Sequence, residues 1–379
     1  MNNKNILDYE TVELLPEENA VQIIDQTLLP GKTELIKLRT AKEIWDAIYL
    51  LKVRGAPAIG VAAALGIYIL VNGIAFDGKD GQTKADTPEN YPANYDYLCA
   101  RFKEMKDYLA SSRPTAVNLF WALNRMEAAL LKWKDREGTV ISDVKDALCK
   151  EAQAIREEDI AVCRSIGEYG LTLVKPGDGI LTHCNAGQLA TIKYGTATAP
   201  IYLGHERGYN FHVYCDETRP LLQGARLTAY ELASAGIDVT LECDNMVASI
   251  MKEGRIQAVF VGCDRVASNG DAANKIGTSV VAMVAARYHV PFYVCAPTST
   301  IDMSLASGSE IPIEQRNPDE VTQMWYEKRM APENIKVYNP AFDVTDAELI
   351  TGIITEYGIA RAPYAESLKE IFAKKAEAK

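Results

Sequence analysis

Apolar positions recur at helical spacing over Lys42–Val53, Ala58–Val71, Tyr97–Ala110 and Val117–Lys132, after a short strand-like start at Val21–Leu28. A period near 3.6 predicts helices with one face on a core. Asp77–Asp96, "DGKDGQTKADTPENYPANYD", breaks that rhythm with polar residues and turn formers, and is expected to be a surface loop or insertion. From Ile141 to Val174 a helical pattern rich in Glu and Lys is expected to link two halves of the chain.

After Pro176-Gly177 the pattern changes. Short apolar runs at Gly179–His183, Phe211–Cys215, Ile237–Glu242, Ile256–Gly262 and Pro291–Cys295 read as strands. Between them, Ala190–Leu203, Leu222–Ala235, Asn245–Glu253 and Asn274–Tyr288 read as helices. Continuous apolar strands alternating with helices predict a parallel sheet covered on both faces. The fold class is α/β. Ligands of such sheets bind beyond the carboxyl ends of the strands. Cys184-Asn185, Asp216-Glu217, Asp244, Asp264-Arg265 and Thr298 fall there, nearly all polar or ionisable.

Length and charge narrow the picture. A chain of 379 residues exceeds the usual single domain, so two are expected, at 1–145 and 146–379. A net charge of -11 argues against nucleic acid as the main partner, since phosphate backbones demand a basic face. The eight cysteines form no C-x-x-C pair, and several end apparent core strands, so reduced thiols in a cytoplasmic protein are expected. The start, "MNNKNILDYE", lacks the pattern of a signal peptide. Ala56–Phe76 is apolar except for Asn72, but its Ala and Gly content and Pro57 predict a buried core helix rather than a membrane span.

Cys184 stands where a strand gives out into a turn, in "GDGILTHCNAGQLAT". His183 is a poor partner for it, because adjacent strand residues point to opposite faces. Asp264 ends another apolar strand in "VFVGCDRVASNGDAANKIG", where Asn274 is expected to cap the next helix with Lys275 in its first turn, an anion site. Arg54 and Arg113 precede helix entrances, and Arg219, Gln223 and Arg226 follow a strand end. Arginine at a helix start opposes the helix dipole unless an anion lies nearby, so a phosphate pocket shared by the two halves is expected. Neither G-x-x-x-x-G-K-[ST] nor G-x-G-x-x-G occurs, and no His/carboxylate cluster has metal-ligand spacing. One thiol, one carboxylate, a phosphate pocket and no evident cofactor suit proton transfer on a sugar phosphate.

Taken together and in order, "RGAPAIG", "SRPTAVNLFWAL", "THCNAG", "DETRPLLQGARLTAYEL", "GCDRVASNGDAANKIG" and "SEIPIEQR" resemble the methylthioribose-1-phosphate isomerase family. That family groups with the regulatory subunits of the translation-initiation guanine exchange factor and with ribose-1,5-bisphosphate isomerases. The resemblance implies a smaller, mainly helical N-terminal domain, a Rossmann-like C-terminal domain, a homodimer and no cofactor. It implies conversion of 5-methylthioribose 1-phosphate to 5-methylthioribulose 1-phosphate, in methionine salvage. It assigns Cys184 as catalytic thiol, Asp264 as acid/base, and Arg54, Gly55, Ala56, Arg113, Gln223, Asn274 and Lys275 to substrate binding. Cys215, Cys263, Gln188, Lys193 and the length of Asp77–Asp96 depart from the family pattern. They leave 5-deoxyribose 1-phosphate or ribose 1,5-bisphosphate as alternative substrates. A regulatory homologue would be expected to lack the thiol, the carboxylate or the arginines; all are present.

Overall fold

Three short strands, β1 (Val12–Leu15), β2 (Ala20–Ile24) and β3 (Leu35–Leu38), pair antiparallel in chain order. In this computed structural model, residues 5–79, 81–114 and 116–378 are described. The strands belong to the smaller of two units, residues 9–160 with 189–193; the larger holds residues 5–8, 161–188 and 194–378. Only β2 matches the strand expected at Val21–Leu28, and it ends at Ile24. The amide of Asp25 then donates to Glu34 and that of Gln26 to Lys52, so the chain leaves the ladder.

Helix α1 (Ala41–Tyr49) starts on a capping box: Thr40 accepts from the Glu43 amide while the Glu43 carboxylate reaches back to the Thr40 amide. Helix α2 (Ala56–Asn72) is the apolar run, buried on nearly every face, with Pro57 in its first turn. A helix apolar all round is one that other helices enclose. Among the described residues no helix is long and apolar enough to cross a membrane. Helices α3 (Tyr91–Ala110), α4 (Val117–Leu131) and α5 (Ile141–Leu171) complete this part, and the division between units falls within α5.

The polar stretch Asp77–Asp96 is only partly a loop, which corrects the expectation. Helix α3 begins at Tyr91, and Tyr91 and Tyr95, one turn apart, turn buried rings inward. Their hydroxyls donate to the carbonyls of Trp133 and Leu130. Asp86 also has a structural task. Its carboxylate accepts from the amides of Ile141 and Ser142 at 2.6 and 3.0 Å, capping the start of α5.

In the larger unit the chain runs β4 (Gly179–Thr182), α6 (Ala199–Glu206), β5 (His212–Asp216), α7 (Ala229–Ser234), β6 (Asp238–Glu242), α8 (Val247–Lys252) and β7 (Ala258–Val261). It continues through β8 (Arg265–Ala267), β9 (Ala272–Lys275), α9 (Thr278–Tyr288), β10 (Phe292–Cys295), β11 (Ile301–Asp302) and α10 (Asp319–Thr322). It ends in β12 (Phe342–Thr345), β13 (Gly352–Thr355), β14 (Gly358–Ala360) and α11 (Tyr364–Glu377). The main sheet has the order β14-β13-β10-β7-β4-β5-β6, parallel except for β14. All five strands read from the sequence are in it. Three of them, β4, β7 and β10, are buried along their whole length at its centre, while β6 is an edge strand and is largely uncovered. Winding proceeds outward from β4 through β5 to β6, then restarts on the other side at β7. The switch point therefore lies between β4 and β7, where such sheets bind ligands.

A second sheet, β11-β8-β9-β12, was not legible in the pattern. Two expected helices are shorter than read. Ala190–Leu203 is helical only from Ala199, because Tyr194 and Gly195 stand at φ 71° and 74° and interrupt the run. Asn274–Tyr288 is helical only from Thr278, with Asn274 and Lys275 in strand β9.

Candidate active site

Cys184 follows β4 by two residues and Asp264 follows β7 by three, so both project from the carboxyl ends of the neighbouring strands that flank the switch point. The two turns pack together: a Cβ placed on Gly262 would stand 2.5 Å from the Cβ of Ala186. The Asp264 amide donates to the Ala273 carbonyl at 2.9 Å, which sets Asp264 beside Asn274 on β9. Asp264 itself is exposed, whereas Cys184 is buried, at 8% exposure.

The backbone at Cys184 is held in the left-handed region, at φ 65°. A non-glycine residue stays there only when its surroundings over-determine it. Thr218 Oγ1 accepts the Cys184 amide at 2.8 Å, and Thr228 Oγ1 donates to the Cys184 carbonyl at 2.6 Å. Thr228 also accepts from Asn185 Nδ2 at 3.1 Å. Two threonines from beyond β5 thus fix the turn that carries the thiol. No signal in the sequence marked either one, because each acts across a strand pairing more than thirty residues away.

His183 does not serve Cys184. Its ring turns away, with Nδ1 2.8 Å from Asp216 Oδ2 and Nε2 2.9 Å from the Ile276 carbonyl. This agrees with the alternation expected for neighbouring strand residues.

Gln223 sits just before a π-helical turn, Gly224–Thr228, that leads into α7. It is buried, and its Oε1 meets no hydrogen-bond donor among the described residues. A buried amide oxygen left open is uncommon and marks a place where a ligand hydroxyl can donate. Arg219 is otherwise employed: its guanidinium donates to the carbonyls of Pro220 and Val321 and lies over Tyr326. Arg226 stacks over Trp325.

The anion site expected at the start of α9 is corrected. Asn274 does not cap that helix; Gly277 precedes it at φ 100°, and Asn274 Nδ2 donates to Thr278 Oγ1 at 3.0 Å. The exposed amides are taken by a carboxylate of the chain itself. Asp343 on β12 accepts from the amides of Gly277 and Ser279 and from the Ser279 hydroxyl, at 2.8, 3.2 and 2.8 Å. Strand pairing decides this, since β12 aligns Asp343 with Asn274. Lys275 is buried and spends one N–H on the Ala341 carbonyl at 2.9 Å. An ammonium has three N–H donors, so this leaves capacity for a phosphate.

In the smaller unit, Arg54, Gly55 and Ala56 form the entrance to α2, and Arg113 precedes α4. The two helices approach closely near these entrances: a Cβ on Gly60 would stand 3.1 Å from the Asn118 carbonyl. Gly55 is at φ 89°, and a Cβ there would lie 2.4 Å from the Ala190 carbonyl. Only glycine fits.

Residues 52–362 match the Initiation factor 2 subunit family. The chain is 62% identical over 369 residues to a methylthioribose-1-phosphate isomerase from Symbiobacterium thermophilum, covering 97% of this chain and 98% of that protein. It is 54% identical over 361 residues to a 5-deoxyribose 1-phosphate isomerase from Petrotoga mobilis, covering 95% and 98%. Among solved structures, 5-methylthioribose 1-phosphate isomerase from Pyrococcus horikoshii OT3 superimposes with a TM-score of 0.87 at 39% identity, covering 98% of this chain and 99% of that one.

Proposed function

Starting from a chain that belongs to the Initiation factor 2 subunit family, we propose an aldose–ketose isomerase that converts 5-methylthioribose 1-phosphate to 5-methylthioribulose 1-phosphate. The observation that carries this reading is the placement of Cys184 and Asp264 beyond the carboxyl ends of β4 and β7, on either side of the switch point. The reading includes a homodimer that needs no cofactor.

An ordinary aldose opens its ring through a free anomeric hydroxyl; here that oxygen carries phosphate. The proposed sequence uses two protons and returns both. Asp264, protonated, gives its proton to the ring oxygen as the bond from that oxygen to C1 breaks. Cys184, as thiolate, takes the proton from C2, and the C2–H electron pair becomes the C1–C2 double bond of an enol. The thiol then protonates C1, while the Asp264 carboxylate takes the proton of the C2 hydroxyl, leaving the ketone. Both groups end as they began. Gln223 Oε1 accepts from a sugar hydroxyl, and Asn274, Lys275, Arg54, Gly55, Ala56 and Arg113 hold the substrate, the cations answering the phosphate.

A second substrate is favoured by the Petrotoga mobilis relative, whose name is 5-deoxyribose 1-phosphate isomerase. The two sugars differ by one apolar substituent, which a pocket distinguishes by only about 1–3 kcal/mol. Initial rates on 5-methylthioribose 1-phosphate, 5-deoxyribose 1-phosphate and ribose 1,5-bisphosphate under one set of conditions test the reading. The expected order puts the methylthio sugar first in kcat/KM. A higher value for another sugar would replace the substrate, and turnover of none would end the enzyme reading.

A further inference from the structure

Across the carboxyl ends of β4, β5 and β6 lies a row of three buried ionisable side chains that the reaction above leaves unused. The pairing of β4 with β5 ends at Thr182 and Cys215, which sets His183 beside Asp216. The pairing of β5 with β6 ends at Asp216 and Glu242. Side chains of His183 and Asp216 are fully buried, and Glu242 is buried.

We propose that His183, Asp216 and Glu242 share protons so that His183 is held as an imidazolium, pinning the thiol-bearing end of β4 to the Lys275–Gly277 corner. The three are positioning residues, and their effect on turnover rests on the isomerase reading.

Proton counting carries the argument. Nε2 of His183 faces a backbone carbonyl, which can only accept, so Nε2 carries hydrogen. Nδ1 faces Asp216 Oδ2, and that contact needs a second proton. Asp216 Oδ1 and Glu242 Oε1 are both buried and meet no donor among the described residues. Strand pairing sets Asp216 directly opposite Glu242, and two carboxyl groups side by side in a buried place are relieved when one is protonated and donates to the other. With a proton on each contact the row has no net charge. Burial raises the Asp216 carboxyl, while His183 and a hydrogen bond from Glu242 work the other way, so the histidine proton stays on the stronger base. Burial works against that charge, but Asp216 and the Ile276 carbonyl outweigh it and raise the His183 pKa.

The clamp joins two walls of the site. Cys184 follows His183 in the chain, and Ile276 follows Lys275. Gly277 leaves no slack, since a Cβ there would stand 2.9 Å from His183 Cε1.

Glu242 is the group that releases its proton within reach of experiment. Burial first, then the adjacent Asp216, pushes its carboxyl up to about 8. The ionisable groups around the row are His183 just beyond β4, Cys215 and Asp216 on β5 with Glu217 after it, Cys243 and Asp244 beyond β6, and Glu231 on α7. The carboxyl groups among them oppose a further negative charge. Once Glu242 ionises, the row carries one net negative charge beside a site for an anionic substrate.

Two measurements test the row. Nitrogen NMR on histidine-labelled protein without substrate is expected to show both His183 nitrogens protonated at pH 7. The signal is assigned by its loss in His183→Gln or, if that variant does not fold, by replacing His205, His212 and His289. In steady-state kinetics the wild-type KM for 5-methylthioribose 1-phosphate is expected to climb at least threefold between pH 7 and 9. In Glu242→Gln, which keeps a neutral donor, KM is expected to stay level relative to its own value at pH 7. A bare His183 nitrogen at pH 7, a wild-type KM that stays flat, or a Glu242→Gln KM that climbs as the wild type does would each overturn the row. Absence of turnover on any sugar phosphate would refute the isomerase reading alone, because the NMR result stands without substrate.

Discussion

The amide of Cys184 meets the hydroxyl oxygen of Thr218 at 2.8 Å, and both residues stand in the left-handed region, at φ 65° and 66°. Each conformation is costly by itself, and for a β-branched threonine it is an outlier. Together with the bond from Thr218 Oγ1 to the Asp216 carbonyl at 3.0 Å, they aim the thiol outward from β4.

Thr218→Val keeps the shape and removes that oxygen, and with it the hydrogen bond from the buried Cys184 amide, at a cost of about 1–3 kcal/mol. Thermal denaturation is expected to show a modest loss, and kcat a fall of about tenfold or more, because the thiol loses its direction. Thr218→Ser is expected to restore most of both. A Thr218→Val enzyme with normal kcat would mean that the turn is held by other means.

The proposed acid–base pair makes a sharper claim. Cys184→Ser and Asp264→Asn are each expected to lower kcat by roughly 10²-fold or more with the fold intact. Substrate deuterated at C2 separates proton transfer from a hydride shift between C2 and C1. Loss of the label to solvent is the expected result, and full retention in product would assign the step to hydride.

Gly55 tests the smaller unit. Adding one methyl group there puts it 2.4 Å from the Ala190 carbonyl on a backbone at φ 89°. Both the overlap and the conformation oppose it, so Gly55→Ala is expected to destabilise by at least about 2 kcal/mol in denaturant titration. A neutral Gly55→Ala variant would contradict that packing.

Asp159 gives a pH prediction with a definite sign. Burial raises its carboxyl from 3.8 to about 7, although it accepts the Ile192 amide at 2.7 Å. Between those two values the native state keeps a proton that the unfolded chain releases, so this group's contribution to stability falls as pH rises, then levels off above about 7. Asp159→Asn removes the slope. Denaturant titrations at pH 4 and pH 8 are expected to show the variant gaining on the wild type by up to about 4 kcal/mol. An equal difference at both pH values would show that Asp159 ionises normally.

The positions of the candidate thiol and carboxylate at strand ends were legible because their signals are local. A run of apolar residues ending in Cys184 or Asp264 identifies a core strand and its exit, whatever the strand pairs with. Gln223 and the helix-entrance arginines were picked out the same way. Asn274 and Lys275 were placed on the wrong element, since "DAANKIGTSVVAM" satisfies a helix start almost as well as a strand and turn. Pairing with β8 and β12 decided for the strand.

By itself, then, the sequence determined the elements whose pattern repeats within a few residues: the buried α2, the parallel strands, and the thiol and carboxylate at their ends. Tertiary structure alone decided that Asp343 caps α9, that Thr218 and Thr228 hold the Cys184 turn, and that His183, Asp216 and Glu242 line up across three strands. Those relations join residues from about 26 to 66 positions apart in the chain. Their register follows from the packing of whole elements, and periodicity along a single segment carries no information about its partner.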